Sequence, residues 1–202
     1  MVENSQKYID GIRYWRQKLH DYEESRFIAD NIDTDKSEYT VNNYSLVLSE
    51  RETKLLKEYV KKANITPFAF INAMIFVLLA RLTYQSDIIV GSMIANREDK
   101  EFENTVGFFA SNIVYRYSVD LESNVDDYLQ SFFKSMLEAR EYSYVSFVDI
   151  VKNVAGENSD KKNPLFQILI NEMDFSKRGQ KTDLNSLQLI DIKLPFVIHF
   201  LK

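Results

Sequence analysis

The side chains that most often perform acid–base or metal chemistry are few in this sequence, and none falls into a catalytic spacing. The two histidines are far apart: His20 follows an amphipathic segment and His199 lies within an apolar one. Their contexts favour structural roles, as a cation near a helix end and as a strand residue. Asp126 and Asp127 are adjacent carboxylates, but their position is typical of the first turn of a helix. The sequence therefore predicts no catalytic constellation and no metal site of its own.

The composition of the chain argues against several other classes of protein. The chain has 202 residues, of which 45% are hydrophobic, and a formal charge of −5 without a dense basic run, which argues against a nucleic-acid-binding surface. Cysteine is absent, so disulfides, thiolate metal sites and a cysteine nucleophile are excluded. No signal-peptide pattern occurs, and the longest apolar run, residues 68–82, is shorter than the ~20 residues that span a bilayer. We expect a cytoplasmic protein without a membrane anchor.

The most informative stretch is VGFFASNIVYR, residues 106–116. A glycine between large apolar residues is followed by two small polar residues at the start of an alternating, strand-like segment. Gly107 fits either a turn or close backbone approach, or the wall of a passage that another molecule enters. Ser111 and Asn112 fit either a strand cap or contacts to such a molecule. Arg116 alternates onto the sheet surface, which favours a pairing role.

Periodic apolar residues predict the elements that position this stretch. Helices are expected over 5–22, from Ser49, over 67–82, from near Ser123 and over 143–154, and strands over 41–49, 87–95, 112–119, 164–174 and 196–201. Ser49 with Glu52 forms a capping-box pattern, and Thr66 with Pro67 marks the next helix start. Helices that alternate with non-adjacent strands indicate an α/β fold, a layered sandwich of helices on a mixed β-sheet in one domain, 1–202.

Four blocks, in order along the chain, resemble the second half of the condensation domains of nonribosomal peptide synthetases. They are YWRQKL (14–19) with TPFAFINAMIFVLLARLTYQSDIIVGSMIANR (66–97), VGFFASNIVYR (106–116), YSYVSFVDIVK (142–152) and NPLFQILIN (163–171). The second block resembles the family motif VGxFVNTLxxR, the third lies where the family has HQDxPFExLVE, and the fourth resembles RNPLFQVxF. Together they cover about residues 8–174, so the chain is identified as a member of this family.

That resemblance implies a chloramphenicol acetyltransferase-like lobe, one of two similar α/β lobes that form a V around a tunnel. In the family, the tunnel admits the phosphopantetheine arms of donor and acceptor peptidyl carrier proteins, and an acceptor amine attacks the donor thioester to form an amide. The catalytic HHxxxDG motif belongs to the N-terminal lobe and has no match here. We therefore expect a lobe that is inactive alone, binds no cofactor itself and supplies tunnel wall and carrier-docking surface. The absent N-terminal lobe is then a required partner, and the exposed interface favours self-association.

The same resemblance assigns candidate tunnel residues. Gly107, Ser111 and Asn112 fall on the tunnel motif, where Ser111 takes the position of the family's tunnel-facing Asn and Asn112 is displaced from it by one residue. Arg97, which follows a predicted buried strand, is a candidate for contact with a phosphopantetheine phosphate, for bracing the cleft between lobes, or for a structural ion pair.

Departures from the family pattern leave the activity open. Tyr142 and Tyr144 stand where the family has HQD, and they are candidates either for the carrier-docking face or for packing. Lys162 replaces the Arg that precedes NPLF in the family. One alternative is therefore a non-catalytic condensation-like module that binds a carrier or partner protein. Another is a lobe of an epimerisation or heterocyclisation relative.

Overall fold

The computed structural model describes residues 5–23, 47–95, 105–107, 109–154 and 165–172, and the backbone of 196–200. The helices in these ranges are α1 Gln6–Lys18, α2 Glu50–Lys62, α3 Pro67–Thr83, α4 Val125–Glu141 and α5 Phe147–Val154. The strands are β1 Asp87–Ile94, β2 Ser111–Ser118, β3 Ile168–Glu172 and β4 Phe196–Phe200. The predicted α/β class is confirmed.

The four strands form one mixed sheet in the order β2-β1-β3-β4. β2 is antiparallel to β1 in a register that runs from the pair Asp87–Ser118 to the pair Ile94–Ser111. β3 is parallel to β1 and antiparallel to β4. Of the strand predicted over 41–49, residues 41–46 lie outside the described residues, and 47–49 lead into α2 without strand structure.

Helices cover both faces of this sheet. Side chains alternate along a strand and paired residues share a face, so Tyr117 and Gly91 point to opposite sides. The Tyr117 ring packs edge-to-face on Phe132 of α4, with ring centroids 5.2 Å apart. On the other face, the Phe166 ring lies directly over Gly91 and contacts Phe147 of α5, with centroids 5.5 Å apart. The sheet is therefore the middle layer of a sandwich, as predicted.

Local capping signals set two helix starts. At α2, the Ser49 amide donates to the Glu52 carboxylate at 2.7 Å, and the Glu52 amide donates to Ser49 Oγ at 3.3 Å. At α3, Thr66 Oγ1 accepts from the Ala69 amide at 3.0 Å, and Pro67 occupies the first turn. Both starts agree with the sequence prediction, because each depends only on residues three positions apart.

α5 is shorter than predicted. The helix expected over 143–154 begins at Phe147, because residues 142–144 form a turn. Ser146 Oγ accepts from the Asp149 amide at 3.1 Å and so caps the helix at this point.

α3 has one side that the fold leaves uncovered. Its inner residues, including Ala73 and Phe76, are buried, but Leu78 and Leu82 on the outer side are 53% and 54% exposed. An apolar run such as residues 68–82 predicts a helix that is buried on nearly every face, and this prediction is wrong for the outer side of α3. Among the described residues no single helix is long and apolar enough to cross a membrane, and α2 and α3 meet that criterion only as a pair bent by 99°.

We expect Gly91→Ala to lower the free energy of unfolding by about 1–3 kcal/mol. An added Cβ would overlap the Phe166 ring, which is only 3% exposed and is held by Phe147. Denaturant titration followed by circular dichroism measures the loss. Gly107→Ala is the matched control, because its Cβ meets mainly the end of one side chain, Phe109 Cε2, at 2.9 Å and at an exposed position. Equal losses from the two substitutions would contradict the close packing of Phe166 on Gly91.

Candidate functional site

The predicted tunnel residues lie at one end of the sheet. Ser111 and Asn112 begin β2, the outermost strand in the sheet order, and they pair with Ile94 and Met93 at the end of β1. The candidate site is therefore built where β1 finishes and β2 starts. Both predicted residues are half-buried.

Ser111 and Asn112 point to opposite faces of the sheet. Consecutive residues of a strand alternate, so Asn112 shares a face with Met93 whereas Ser111 shares the other face with Ile94. The sequence prediction named both residues as tunnel candidates, with Ser111 at the tunnel-facing position and Asn112 displaced from it by one residue. The structure brings them together along the chain but directs them to different sides.

Gly107 does not depend on a glycine conformation. Its φ angle lies outside the left-handed region, and the position is exposed. The close approach predicted for it is a contact with the ring of Phe109. A role in a tunnel wall stays a prediction, and Arg97, the fourth predicted tunnel residue, lies outside the described residues.

Two further side chains complete this end of the sheet, and sequence reasoning missed both. Met93 is 40% exposed directly after the buried residues 88–92, so the cover of the sheet ends there. Asn171 of β3 is half-buried, and its Nδ2 lies 3.8 Å from Met93 Sδ. The β1–β3 register places both on the face of Asn112. The available signal was the polar Asn171, which directly follows the apolar run Ile168–Ile170.

Tyr142 and Tyr144 lie in the turn between α4 and α5 and pack on α1. The Tyr142 ring stacks on Tyr14 with centroids 3.9 Å apart, and the Tyr142 carbonyl accepts from Trp15 Nε1 at 3.0 Å. The Tyr144 hydroxyl donates to the Lys7 carbonyl at 2.9 Å. Burial raises the pKa of Tyr144 above its ordinary value. These contacts give both residues a packing role, and carrier docking stays a prediction.

Arg116 has the pairing role that its position in the strand predicted. Its Nε and Nη2 donate to the Asp87 carboxylate at 2.6–3.0 Å. Its Nη1 donates to the carbonyls of Lys18 and His20 at 3.1 and 2.6 Å, and Nη2 donates to that of Asp21 at 3.3 Å. α1, expected to reach residue 22, ends at Lys18. Arg116 thus ties the end of α1 to the sheet end opposite the candidate site.

The described titratable groups form no paired acid and base at the candidate site. His20 is exposed, with Nδ1 2.9 Å from the Asp21 carboxylate. Asp126 lies in the first turn of α4, as predicted, and accepts from the Tyr59 hydroxyl at 2.9 Å. The side chain of His199 lies outside the described residues, and within them no group of three or more His, Cys, Asp or Glu is placed to hold a metal. The sheet end can therefore bind and orient a ligand through amides, a hydroxyl and a thioether.

Comparison with known sequences gives one family. The profile described as Condensation domain matches residues 2–199. The N-(5-amino-5-carboxypentanoyl)-L-cysteinyl-D-valine synthase of Amycolatopsis lactamdurans is 26% identical over 155 residues, which are 77% of this chain and 4% of the synthase. The chain thus spans a small part of the curated relative that it matches.

Solved structures share the fold. A four-domain nonribosomal peptide synthetase bound to AMP and glycine superposes with a TM-score of 0.70 at 19% identity, over 88% of this chain and 13% of that one. The X-domain from teicoplanin biosynthesis, in its complex with OxyB, superposes with a TM-score of 0.67 at 16% identity, over 98% of this chain and 48% of that one. At these identities the likeness shows the fold alone.

Arg116→Lys should lower the free energy of unfolding by about 1–3 kcal/mol, because one ammonium cannot replace a guanidinium that serves a carboxylate and three carbonyls. Urea titration measures the loss. Arg13→Lys is the matched control, since Arg13 forms an exposed pair with Asp10, worth at most about 1 kcal/mol. In the Asp87→Asn background the loss from Arg116→Lys should shrink. An unchanged loss there would mean that Asp87 does not hold Arg116.

Proposed function

This chain belongs to the condensation-domain family, and we propose that it forms one wall of the passage in which carrier-bound acyl and aminoacyl thioesters are joined by an amide bond. The observation that carries the proposal is the family match over residues 2–199. The position of the tunnel motif supports it, because Ser111 and Asn112 lie at the sheet end where the cover over β1 stops at Met93.

In the proposed reaction, the main role of this wall is to orient the two thioester-bound substrates. The nitrogen of the acceptor amine attacks the carbonyl carbon of the donor thioester, so a C–N bond forms and the C–S bond breaks. The donor arm leaves as a thiol and takes up the proton that the amine loses. Holding amine and thioester in attacking geometry accounts for a large part of such a rate enhancement. We assign that share to this chain, and the proton transfer to the histidine-bearing lobe that the family resemblance implies.

The proposed partners are donor and acceptor carrier proteins, which deliver the phosphopantetheine arms. The polar side chains of the tunnel motif are those of Ser111 and Asn112. Because they lie on opposite faces of β2, a passage along one face of the sheet would be lined by one of them. Gly107 precedes them, and Arg97 would meet a phosphate. Tyr142 and Tyr144, between α4 and α5, would lie beside the docked carrier.

Reconstitution tests the proposal. The full chain, supplied with a histidine-bearing condensation lobe and two aminoacylated carriers, should form a dipeptidyl carrier, detected by intact-protein mass spectrometry. Asn112→Leu should lower the rate of product formation about tenfold or more, because the arm loses an orienting contact. Ser118→Ala, an exposed position at the far end of the same strand, should leave the rate unchanged.

The control separates catalysis from folding. Both variants should show the same thermal unfolding midpoint as the parent chain, so a lower rate reports on the site. Absence of product from a folded pair of lobes with loaded carriers would overturn the proposed function.

A second candidate function is a binding module without catalysis, and the outer side of α3 favours it. Leu78 and Leu82 are both more than half exposed and lie four residues apart on one helix face. Adjacent apolar side chains that remain exposed on one helix face are candidates for contact with another protein. A module of the same fold, the teicoplanin X-domain, has been solved in complex with OxyB. In this function the α3 face binds the body of a carrier protein.

Binding to an apo carrier tests the second function, because the apo form lacks the arm. If α3 docks the carrier body, Leu78→Glu should weaken binding at least about tenfold, as truncation of an interface anchor does. Leu55→Glu on α2, an equally exposed leucine, is the matched control and should change the affinity little. Fluorescence anisotropy gives the affinities and light scattering the size of the free chain. No measurable binding of the apo carrier would exclude this second function.

A further inference from the structure

We propose that Asn112, Met93 and Asn171 form a contact row that positions the pantetheine arm of a carrier on one face of the sheet. The row consists of one residue from each of three adjacent strands, β2, β1 and β3. It rests on the proposed function for the identity of the ligand. Met93 and Asn171 are new positions in the site, outside the residues that the tunnel motif marks.

Strand register builds the row. Met93 pairs with Asn112 across the antiparallel β1–β2 ladder. In the parallel β1–β3 ladder Ser92 pairs with Ile170, so the next residues, Met93 and Asn171, lie side by side. Paired residues of neighbouring strands point to the same face, and strands are about 4.8 Å apart, so the row crosses the sheet over about 10 Å. The 3.8 Å distance from Asn171 Nδ2 to Met93 Sδ shows that the two side chains meet.

The inner side of the row is closed. Gly91 precedes Met93 by two residues on the same face, and the buried Phe166 ring fills the space above it. Beyond Gly91 the sheet surface opens at Met93, which is 40% exposed. A ligand that lies along the row therefore rests on the thioether, with an aromatic wall behind it and solvent in front.

The chemistry of the row suits an amide-containing chain. Among the described residues the structure gives the Asn112 side chain no hydrogen-bond partner, and Asn171 contacts only the weak acceptor Met93 Sδ. Each amide therefore retains a carbonyl acceptor and donor capacity for a ligand. Pantetheine is an extended chain with two amide groups and a terminal sulfur. Its amides can pair with those of the two asparagines, while its methylene groups lie over Met93.

The face of the row is the unexpected part. The family resemblance places the tunnel-facing amide at position 111, where this chain has a serine that points to the other face. The shift by one residue moves the amide to the face that Asn171 occupies. The row thus makes Asn112 and Asn171 act as a pair, which Ser111 cannot join.

Comparison of holo and apo carrier binding to the full chain tests the row. The probe is a peptidyl carrier protein with and without its phosphopantetheine arm, titrated by fluorescence anisotropy. The wild-type chain should bind the holo form about tenfold more tightly than the apo form. Asn171→Leu and Asn112→Leu should each reduce this preference about threefold to tenfold and leave the apo affinity unchanged. Asn171→Gln, which keeps the amide, should retain more of the preference, and Ser118→Ala should leave it unchanged.

The holo-to-apo ratio keeps the result independent of folding, because an unfolded fraction of a variant weakens both affinities alike. A wild-type chain without preference for the holo form would overturn the row, whereas product formation by the reconstituted pair of lobes would leave the proposed function standing. A preference that survives in both leucine variants would overturn the row and leave the proposed function standing. Loss of the preference only in Ser111→Ala would place the arm on the opposite face and would also overturn the row.

Discussion

The packing of Phe166 on Gly91 is the contact on which the rest of the sheet depends. Gly91 lies in the central part of β1, and the absence of a side chain there lets an aromatic ring from the segment before β3 lie against the strand. The same ring contacts Phe147, so α5 is positioned by it as well. One position without a side chain thereby sets the relative places of two strands and a helix, and it closes the candidate site on its inner side.

The side chains at the two ends of the sheet differ in how fully they are hydrogen-bonded. At one end, the Arg116 guanidinium donates hydrogen bonds to the Asp87 carboxylate and to backbone carbonyls at the end of α1. The guanidinium therefore has a structural role. At the other end, small amides and an exposed thioether remain without strong partners among the described residues. The proposed binding wall would combine a hydrogen-bonded anchor at one end of the sheet with side chains available to a ligand at the other, an arrangement in which regular strands position the binding residues.

Local signals made the helices predictable, whereas the site depended on pairing that the sequence does not display. The caps at Ser49 and Thr66 involve residues three apart, so their patterns were sufficient. The pairing role of Arg116 followed from strand alternation, but its partners lie 29 to 98 residues away and became known only in three dimensions. Alternation alone also separates Ser111 from Asn112. Asn171 lies on the same face as Asn112, and this could be recognised only once the order of the strands was known.

The parallel pairing of β1 with β3 also has a consequence for the order of folding. Met93 and Asn171 are 78 residues apart, and β2, α4 and α5 lie between them. Closing so long a loop costs more chain entropy than pairing β1 with β2, so we expect the antiparallel ladder to form first and β3 to join it late. We therefore expect β2 to be paired with β1 before β3 has joined the sheet. The proposed row of Asn112, Met93 and Asn171 would then be complete only after β3 has joined.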